Sequence, residues 1–278
     1  MTQPILIAQI SDLHIKMPGQ LAYGVVDTSE ALRRCIVELN QLDPRPDLVV
    51  ISGDVADTPT AEEYEQAVSL LSALDMPYVA IPGNHDNRAL IRSALGDESD
   101  AAPQSALNQL HRVGDLDIVL LDSSVPGAPH GELDAETLTW LDATLAATPE
   151  RPALLFLHHP PFVTGIAHMD VQNLRNAPDL AERIARHKRA RMIAAGHVHR
   201  ATTTSFSGIV ATICPAPNHA VALDLTGRLP PSFRIEPPAF HLHTWFADAN
   251  FGRIVTHLVP IGDYDGPHPF FGADGRLL

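Results

Sequence analysis

Five short apolar runs, each ending abruptly in residues that can bind a metal, constrain this chain more than anything else in it. Residues 5–10 run into Asp12-Leu13-His14, and residues 47–52 into Gly53-Asp54. Residues 78–81 end in Pro82-Gly83-Asn84-His85-Asp86, residues 153–157 in His158-His159, and residues 191–195 in Gly196-His197-Val198-His199. Apolar runs of this length, bounded by turn residues, predict buried strands. Residues 117–121 add another. Between them lie helical patterns. Leu32, Cys35, Ile36 and Leu39 make one face of 28–42, and Thr60 with Glu63 predicts a reciprocal capping box ahead of Ala67, Val68 and Leu71. Residues 134–146, with Leu138, Trp140 and Leu141 on the core face, and residues 179–188 complete the set. Strands alternating with helices predict a layered α/β fold. In open α/β sheets ligands sit beyond the carboxyl ends of strands, so five such ends can converge on one place.

The residue types say what that place holds. Asp12, His14, Asp54, Asn84, His158, His197 and His199 offer carboxylate oxygens, imidazoles and one amide. Such donors suit iron, manganese, zinc or cobalt. In an extended segment Asp12 and His14 point to one side, as do His197 and His199. Seven donors exceed what one ion with open positions needs. They suit two ions sharing a bridging carboxylate, for which Asp54 is the natural candidate. Gly53, Gly83 and Gly196 precede ligands, where a missing side chain permits close backbone approach. His85 diverges from Asn84, its neighbour in the chain, and so faces what the centre binds rather than the same ion. Asp86 either orients His85 or forms the turn. His159 and the pair Asp122-Ser123 read as structural.

Composition narrows the partners. Against 33 Asp and Glu stand only 19 Lys and Arg, a net charge of −14. That disfavours nucleic acid polymers and anionic membranes, but not a small anion in a locally positive site. Two cysteines, Cys35 and Cys214, are too few for a disulfide framework or a thiolate zinc site. There is neither an apolar run of membrane-spanning length nor a signal-like start, which leads us to expect a cytoplasmic protein.

The segments QISDLHI (9–15), VVISGDVAD (49–57), IPGNHDNR (81–88), LHHPPF (157–162) and AAGHVHR (194–200) resemble the calcineurin-like metallophosphoesterase superfamily. Within it the chain resembles bacterial glycerophosphodiesterases and class III cyclic-nucleotide phosphodiesterases. The resemblance implies an α/β/β/α four-layer sandwich of two mixed β-sheets. It implies that Asp12, His14, Asp54 and His199 hold one divalent ion, and Asp54, Asn84, His158 and His197 the other. The implied activity is hydrolysis of small anionic phosphodiesters by a hydroxide between the ions, with Asp54 and His85 as catalytic residues and Asn84, His85 and His219 binding substrate. Tyr23, Phe162, His168 and Met169 are expected to wall the pocket. Glycerophosphodiester-type substrates are expected first, with 3′,5′-cyclic nucleotides as the alternative. A partner-binding member with a degraded site is a third reading, and the complete donor set speaks against it.

Past residue 200 the pattern changes to short apolar runs at 209–213, 220–225, 242–246 and 253–259, with a proline-rich loop over 228–240. We expect a catalytic domain over 1–225 and a C-terminal β extension over 226–278, packed on the core or at an oligomer interface. Phe240, Leu242, Trp245, Phe246, Phe251, Phe270 and Phe271 make this segment aromatic, which predicts burial against the core or a second subunit and hence a homo-oligomer, most simply a two-fold dimer. His241, His243, His257 and His268 read as surface or packing residues.

Overall fold

A computed structural model describes residues 3–96, 102–247 and 252–278. The first half contains β1 (Ile5–Ile10), α1 (Thr28–Gln41), β2 (Leu48–Ser52), α2 (Ala61–Leu71), β3 (Tyr78–Ile81), α3 (Arg88–Ala94), β4 (Gln109–Val113), β5 (Leu116–Leu121) and α4 (Ala135–Ala147). The second half contains β6 (Ala153–Leu157), α5 (Ala167–Asp170), α6 (Ala177–His187), β7 (Ala190–Ala195), β8 (Thr202–Phe206), β9 (Ile209–Ile213), β10 (Ala220–Val221), β11 (Phe233–Arg234), β12 (Ala239–Phe246) and β13 (Arg253–Pro260). Among the described residues the strands form two mixed sheets, ordered β13-β12-β1-β2-β3 and β4-β5-β6-β7-β9-β8, and a separate hairpin β10-β11.

The layering follows from strands that are apolar on both faces, because successive side chains point to opposite sides. Ala8 and Ile10 of β1 and Val49 and Ile51 of β2 meet Leu32, Ile36 and Leu39 of α1 and Tyr64 and Ala67 of α2. Ile7, Leu48 and Val50 point the other way, onto Ile118, Leu120, Leu154 and Phe156 of the second sheet. Beyond that sheet Val119, Leu121 and Leu155 meet Leu138 and Leu141 of α4 and Leu180 and Ile184 of α6. Three apolar layers thus separate four slabs, and this is the α/β/β/α sandwich. Each side chain removed from water there contributes about 1.5–3 kcal/mol.

Local expectations are refined in three places. The Thr60 hydroxyl caps α2 by accepting from the Glu63 N–H at 3.3 Å, but the reciprocal half of the box is redirected. The Glu63 carboxylate takes the Thr58 N–H at 2.6 Å and the Lys16 ammonium at 3.2 Å instead. The strand expected over 220–225 is only Ala220–Val221, and it pairs with Phe233–Arg234 inside the stretch expected as a loop. Finally, β12 lies between β1 and β13, in register from Ile5 opposite Trp245 to Gln9 opposite His241. Residues of the 226–278 segment are therefore built into the first sheet, where Phe240 and Trp245 join the buried layers. Phe246, Phe270 and Phe271 are exposed, and Phe251 lies outside the described residues. His241 and His243 are buried packing residues, whereas His257 and His268 are at the surface. Both cysteines are free and buried, and among the described residues no helix is long and apolar enough to cross a membrane.

Candidate metal centre

The chain leaves β1, β2 and β7 through left-handed kinks. Asp12 (φ 58°), His14 (47°), Asp54 (52°), His197 (73°) and His199 (56°) all have positive φ. The donor pairs Asp12/His14 and His197/His199 therefore do not share a side through extended alternation, as the sequence led us to expect. They converge because the backbone turns sharply at each of them. A non-glycine residue held in such a conformation costs about 1–3 kcal/mol and persists only where its surroundings over-determine it. Here they do: the N–H groups of Asp12 and His14 donate to the carbonyls of Gly53 and Asp54 at 3.0 and 2.9 Å. The His197 N–H donates to both oxygens of the Asp12 carboxylate, and the Asn218 amide donates to the Asp12 and Leu13 carbonyls at 2.9 and 3.0 Å. At Gly53 (φ +102°) a Cβ would stand 2.4 Å from His158 Nδ1, and at Gly83 one would stand 2.2 Å from Asp54 Oδ1. Bare backbone is needed at both positions to let the loops meet.

The structure brings all seven candidate donors into one cluster. In one half, His14 Nε2 lies 3.2 Å from His199 Nε2, and His199 Nε2 lies 3.4 Å from Asp12 Oδ1. In the other, His158 Nε2 lies 3.1 Å from Asn84 Oδ1, and the His197 ring packs against that of His158 at 5.1 Å between centroids. Asp54 Oδ2 sits between the halves, 3.6 Å from His14 Nε2 and 3.4 Å from His158 Nε2.

An outer layer of acceptors sets the ring tautomers. His158 Nδ1–H donates to the Ser52 carbonyl at 2.8 Å, His14 Nδ1–H to Asp57 Oδ1 at 3.1 Å, and His199 Nδ1–H to the His219 carbonyl at 3.2 Å. Each of these bonds leaves the Nε2 lone pair aimed at the centre, the orientation a metal ligand needs. The His197 Nε2 is buried without a hydrogen-bond partner among the described residues. Two facing lone pairs 3.2 Å apart and a buried, unpartnered imidazole nitrogen call for a cation. The electrostatics agree. Burial pushes Asp12 up to about 6, with the Asp54 charge adding to it against the His158 and His14 imidazoles. Burial alone would lower His158, but the Asp54 carboxylate overrides it and carries the imidazole up to about 9. Burial holds His197 and His199 well below their ordinary value. A crowd of buried carboxylates that must otherwise be balanced by protons on imidazoles fits a cation-binding set.

Under this cluster lies a buried polar chain that the sequence reading missed. The Gln9 amide of β1 donates to Ser52 Oγ at 2.8 Å and to the Ala195 carbonyl of the opposite sheet at 3.0 Å. Its oxygen accepts from His243 Nε2 at 3.1 Å, and His243 Nδ1 in turn takes the Thr256 hydroxyl at 2.8 Å. Ser52 and Ala195 are the last strand residues before the donor-bearing turns, so Gln9 ties the two sheets together directly beneath the site.

His85 lies at the rim. Its N–H donates to Asp54 Oδ1 at 2.9 Å, and its Nδ1 donates to the Asp57 carbonyl at 2.9 Å, which leaves Nε2 as the ring's other polar atom. Asp86 does not orient it. The Asp86 carboxylate is consumed by the N–H groups of Gly83, Val55 and Ala56 and by the Tyr64 hydroxyl, so it builds the turn. Asp57 was overlooked although it closes the VVISGDVAD segment. Its side chain holds His14 and its carbonyl holds His85. His159 is held by Ser123 Oγ at its Nδ1, 2.9 Å away, while its Nε2 is buried without a hydrogen-bond partner among the described residues, beside His158 and His197. Asp122 is likewise engaged, with Arg88 at 2.8 Å.

The cluster opens into a cavity of about 410 Å³. Tyr23, His168, Met169 and His219 line it as expected, but Phe162 does not, being packed into the apolar layers behind. Phe233, which the sequence left in an unstructured loop, closes the cavity with Tyr23, at 4.9 Å between ring centroids. His219 is buried between these two rings and His199, and burial with the neighbouring His199 and His14 lowers it to about 2, so it stays neutral.

Residues 5–201 match the calcineurin-like phosphoesterase family. The chain is 38% identical over 275 residues to a probable glycerophosphodiester phosphodiesterase of Arcobacter nitrofigilis, covering 99% of this chain and all of that protein. It is 33% identical over 204 residues to a 3′,5′-cyclic adenosine monophosphate phosphodiesterase of Escherichia coli, covering 73% of each. Its fold is similar to that of a dimetal phosphatase from Danio rerio, with a TM-score of 0.61 at 15% identity over 93% of this chain and 99% of that one.

Proposed function

The chain belongs to the calcineurin-like phosphoesterase family, and on that premise we propose that it is a phosphodiesterase whose centre holds two divalent transition-metal ions and cleaves small glycerophosphodiester-type substrates. When bound, such ions supply Lewis-acid polarisation of the phosphoryl oxygens and a nucleophile at neutral pH. In this reading Asp12, His14, Asp54 and His199 hold one ion, Asp54, Asn84, His158 and His197 hold the other, and Asp54 is shared. The observation that carries it is Asp54 Oδ2 lying within 3.6 Å of His14 Nε2 and 3.4 Å of His158 Nε2, between the two halves of the donor set.

The remaining residues act on the substrate. Asn84 ligates without adding negative charge, which keeps the site attractive to an anion. His85, fixed through Nδ1–H by the Asp57 carbonyl, presents Nε2 to the cavity; as the imidazolium it delivers its Nε2 proton to the departing alkoxide oxygen and is left as the neutral Nδ1–H ring. Asp54 also fixes the His85 backbone, so one residue links the centre to the proton donor. His219, neutral between Tyr23 and Phe233, contacts the ester arm in the cavity and excludes water from that wall. The Escherichia coli relative supports a second reading, hydrolysis of 3′,5′-cyclic nucleotides, with a base lying against Tyr23 and Phe233.

Chelated protein reloaded with manganese, cobalt, zinc or iron and offered glycerophosphoethanolamine, cyclic AMP and aryl mono- and diesters tests the reading. Metal-dependent cleavage of the diesters supports it, and metal-independent cleavage refutes it. The exposed Leu258, Phe270 and Phe271 support self-association into a homo-oligomer, and a monomeric mass by sedimentation at micromolar concentration would refute that part.

A further inference from the structure

The metal cluster opens on two sides. Besides the aromatic cavity there is a second groove, of about 530 Å³, and the two share Asn84 and His85. Their other walls come from different parts of the fold. The aromatic cavity is built by segments after β1, β6, β7 and β9 and by the β10-β11 hairpin, through residues such as Tyr23, Met169, His199, His219 and Phe233. The second groove is built by loops after β2, β3 and β5, through Thr58, Asn87, Arg88 and the 124–129 turn. Cross-sheet hydrogen bonds show how the sheets stack: Gln9 of β1 reaches Ala195 of β7, Ser52 of β2 receives His158 after β6, and Gln109 of β4 reaches Ala80 of β3. The β1/β7 side and the β3/β5 side therefore lie to either side of the central β2/β6 pair, and the two clefts leave the centre in different directions with His85 at their junction.

The chemistry of the second groove differs from that of the first. Its charged groups are already spent. Arg88 is held by Asp122 at 2.8 Å, by the Ser124 carbonyl at 2.7 Å and by the Gln104 carbonyl at 3.2 Å. Asp57 is held by His14 and Lys16, and Asp86 by three backbone N–H groups. What is left to a ligand is neutral polar surface: the Thr58 hydroxyl, whose oxygen already takes the Lys16 ammonium at 2.9 Å, the amide nitrogen of Asn87, whose oxygen caps α3, and the Gln104 side chain; this suits an uncharged hydroxylated group rather than a second anion.

We propose that this groove is the subsite for the second ester arm of an acyclic phosphate diester, and that it takes a small neutral polyol such as glycerol while the other alcohol lies in the aromatic cavity. This rests on the reading of the centre as a phosphodiesterase. It also separates the two substrate classes. An acyclic diester carries its alcohols on separate arms that can diverge from phosphorus into the two clefts. A 3′,5′-cyclic nucleotide carries both ester oxygens on one ribose, so its arms leave phosphorus together and cannot fill both. A monoester leaves one cleft empty.

The test compares glycerophosphoethanolamine with 3′,5′-cyclic AMP on metal-loaded protein, using Ala128→Phe and Pro126→Trp to fill the groove from its 124–129 wall. The measured quantity is the ratio of kcat/KM for the acyclic to the cyclic diester. Metal content and thermal midpoint are read alongside, to show that each variant is folded and loaded. The expected result is a wild-type ratio above one that falls tenfold or more in both variants, mainly through a raised KM for the acyclic diester. Wild-type protein that cleaves both diesters with a ratio unmoved in the variants overturns the subsite alone. Wild-type protein that cleaves neither diester overturns the reading of the centre and the subsite with it.

Discussion

Gly53→Ala probes how tightly the centre is assembled. At φ +102° Gly53 occupies a conformation that side chains rarely adopt, and an added Cβ would stand 2.4 Å from His158 Nδ1, 2.7 Å from its Cγ and 2.9 Å from Gly83 Cα. To reach an ordinary contact of about 3.4 Å the His158 ring must retreat by about 1.0 Å, which strains its 2.8 Å hydrogen bond to the Ser52 carbonyl. The backbone term is about 1–2 kcal/mol and the overpacking term about 1–3 kcal/mol, so a loss of about 2–5 kcal/mol is expected in urea denaturation of the chelated protein. Displacing one ligand ring on this scale should weaken metal binding about 10–100-fold and lower diester turnover about 100-fold. Gly208→Ala supplies the comparison: its φ is +81°, nothing among the described residues lies within 4 Å of its Cβ position, and it sits in the β8-β9 turn away from the centre. It should show the backbone term of about 1–2 kcal/mol with metal affinity unchanged. If Gly53→Ala matches Gly208→Ala in stability and retains wild-type metal affinity, His158 is not held as described.

Three other perturbations give separate readings. Gln9→Leu leaves Ser52 Oγ and His243 Nε2 without their buried partner, at about 1–3 kcal/mol for each group, while the Ala195 carbonyl keeps the Cys214 N–H at 2.8 Å; it should loosen metal binding as well as stability, and stability loss with unchanged cobalt affinity would make Gln9 a packing residue only. Arg189→Met removes one of the two arginines that hydrogen-bond the buried Asp117, leaving Arg151 at 2.9 Å, and takes a donor from the Thr144 and Leu145 carbonyls, at the opposite end of the sandwich; it should cost about 1–3 kcal/mol in denaturation while metal affinity stays the same, and a fall in affinity would contradict the separation of the two ends. Burial lowers His241 to about 4 and His243 further, so both stay neutral in the folded chain where the unfolded chain would protonate them. Stability they do not limit above pH 6.5 is therefore lost as pH falls toward 4, by up to about 1.4 kcal/mol per pH unit for each ring, and His241→Leu should flatten that slope in denaturation measured against pH.

The strands that hold the centre were legible because each is apolar on both faces: β3 and β6 lie where their runs begin and end, and β1 does too. The strands that escaped are the sheet edges. β4 (QLHRV) and β8 (TTTSF) are half exposed and carry polar residues, so they leave no apolar run to read. The seven donors were legible because each follows a strand in the chain, so their convergence needed only the rule that strand ends meet. How they converge was not, since left-handed kinks at Asp12 or His199 leave no mark on residue type. Gln9 and His243 escaped for a different reason. Their pairing depends on β12 lying beside β1, a contact between residues more than two hundred positions apart. Phe233 was missed because the proline-rich stretch around it hides a two-residue strand.

The central claim is that one cluster of side chains holds two divalent ions and needs them to cleave a diester. Titrating chelated protein with cobalt or manganese, while following cleavage of bis(p-nitrophenyl) phosphate, measures both together. The account predicts saturation at two equivalents per chain, activity that appears with the bound metal, and loss of both in Asp54→Ala, whose carboxylate lies between the two halves of the donor set. Diester cleavage that persists undiminished without metal, or Asp54→Ala protein that still binds two equivalents and turns over normally, would contradict it.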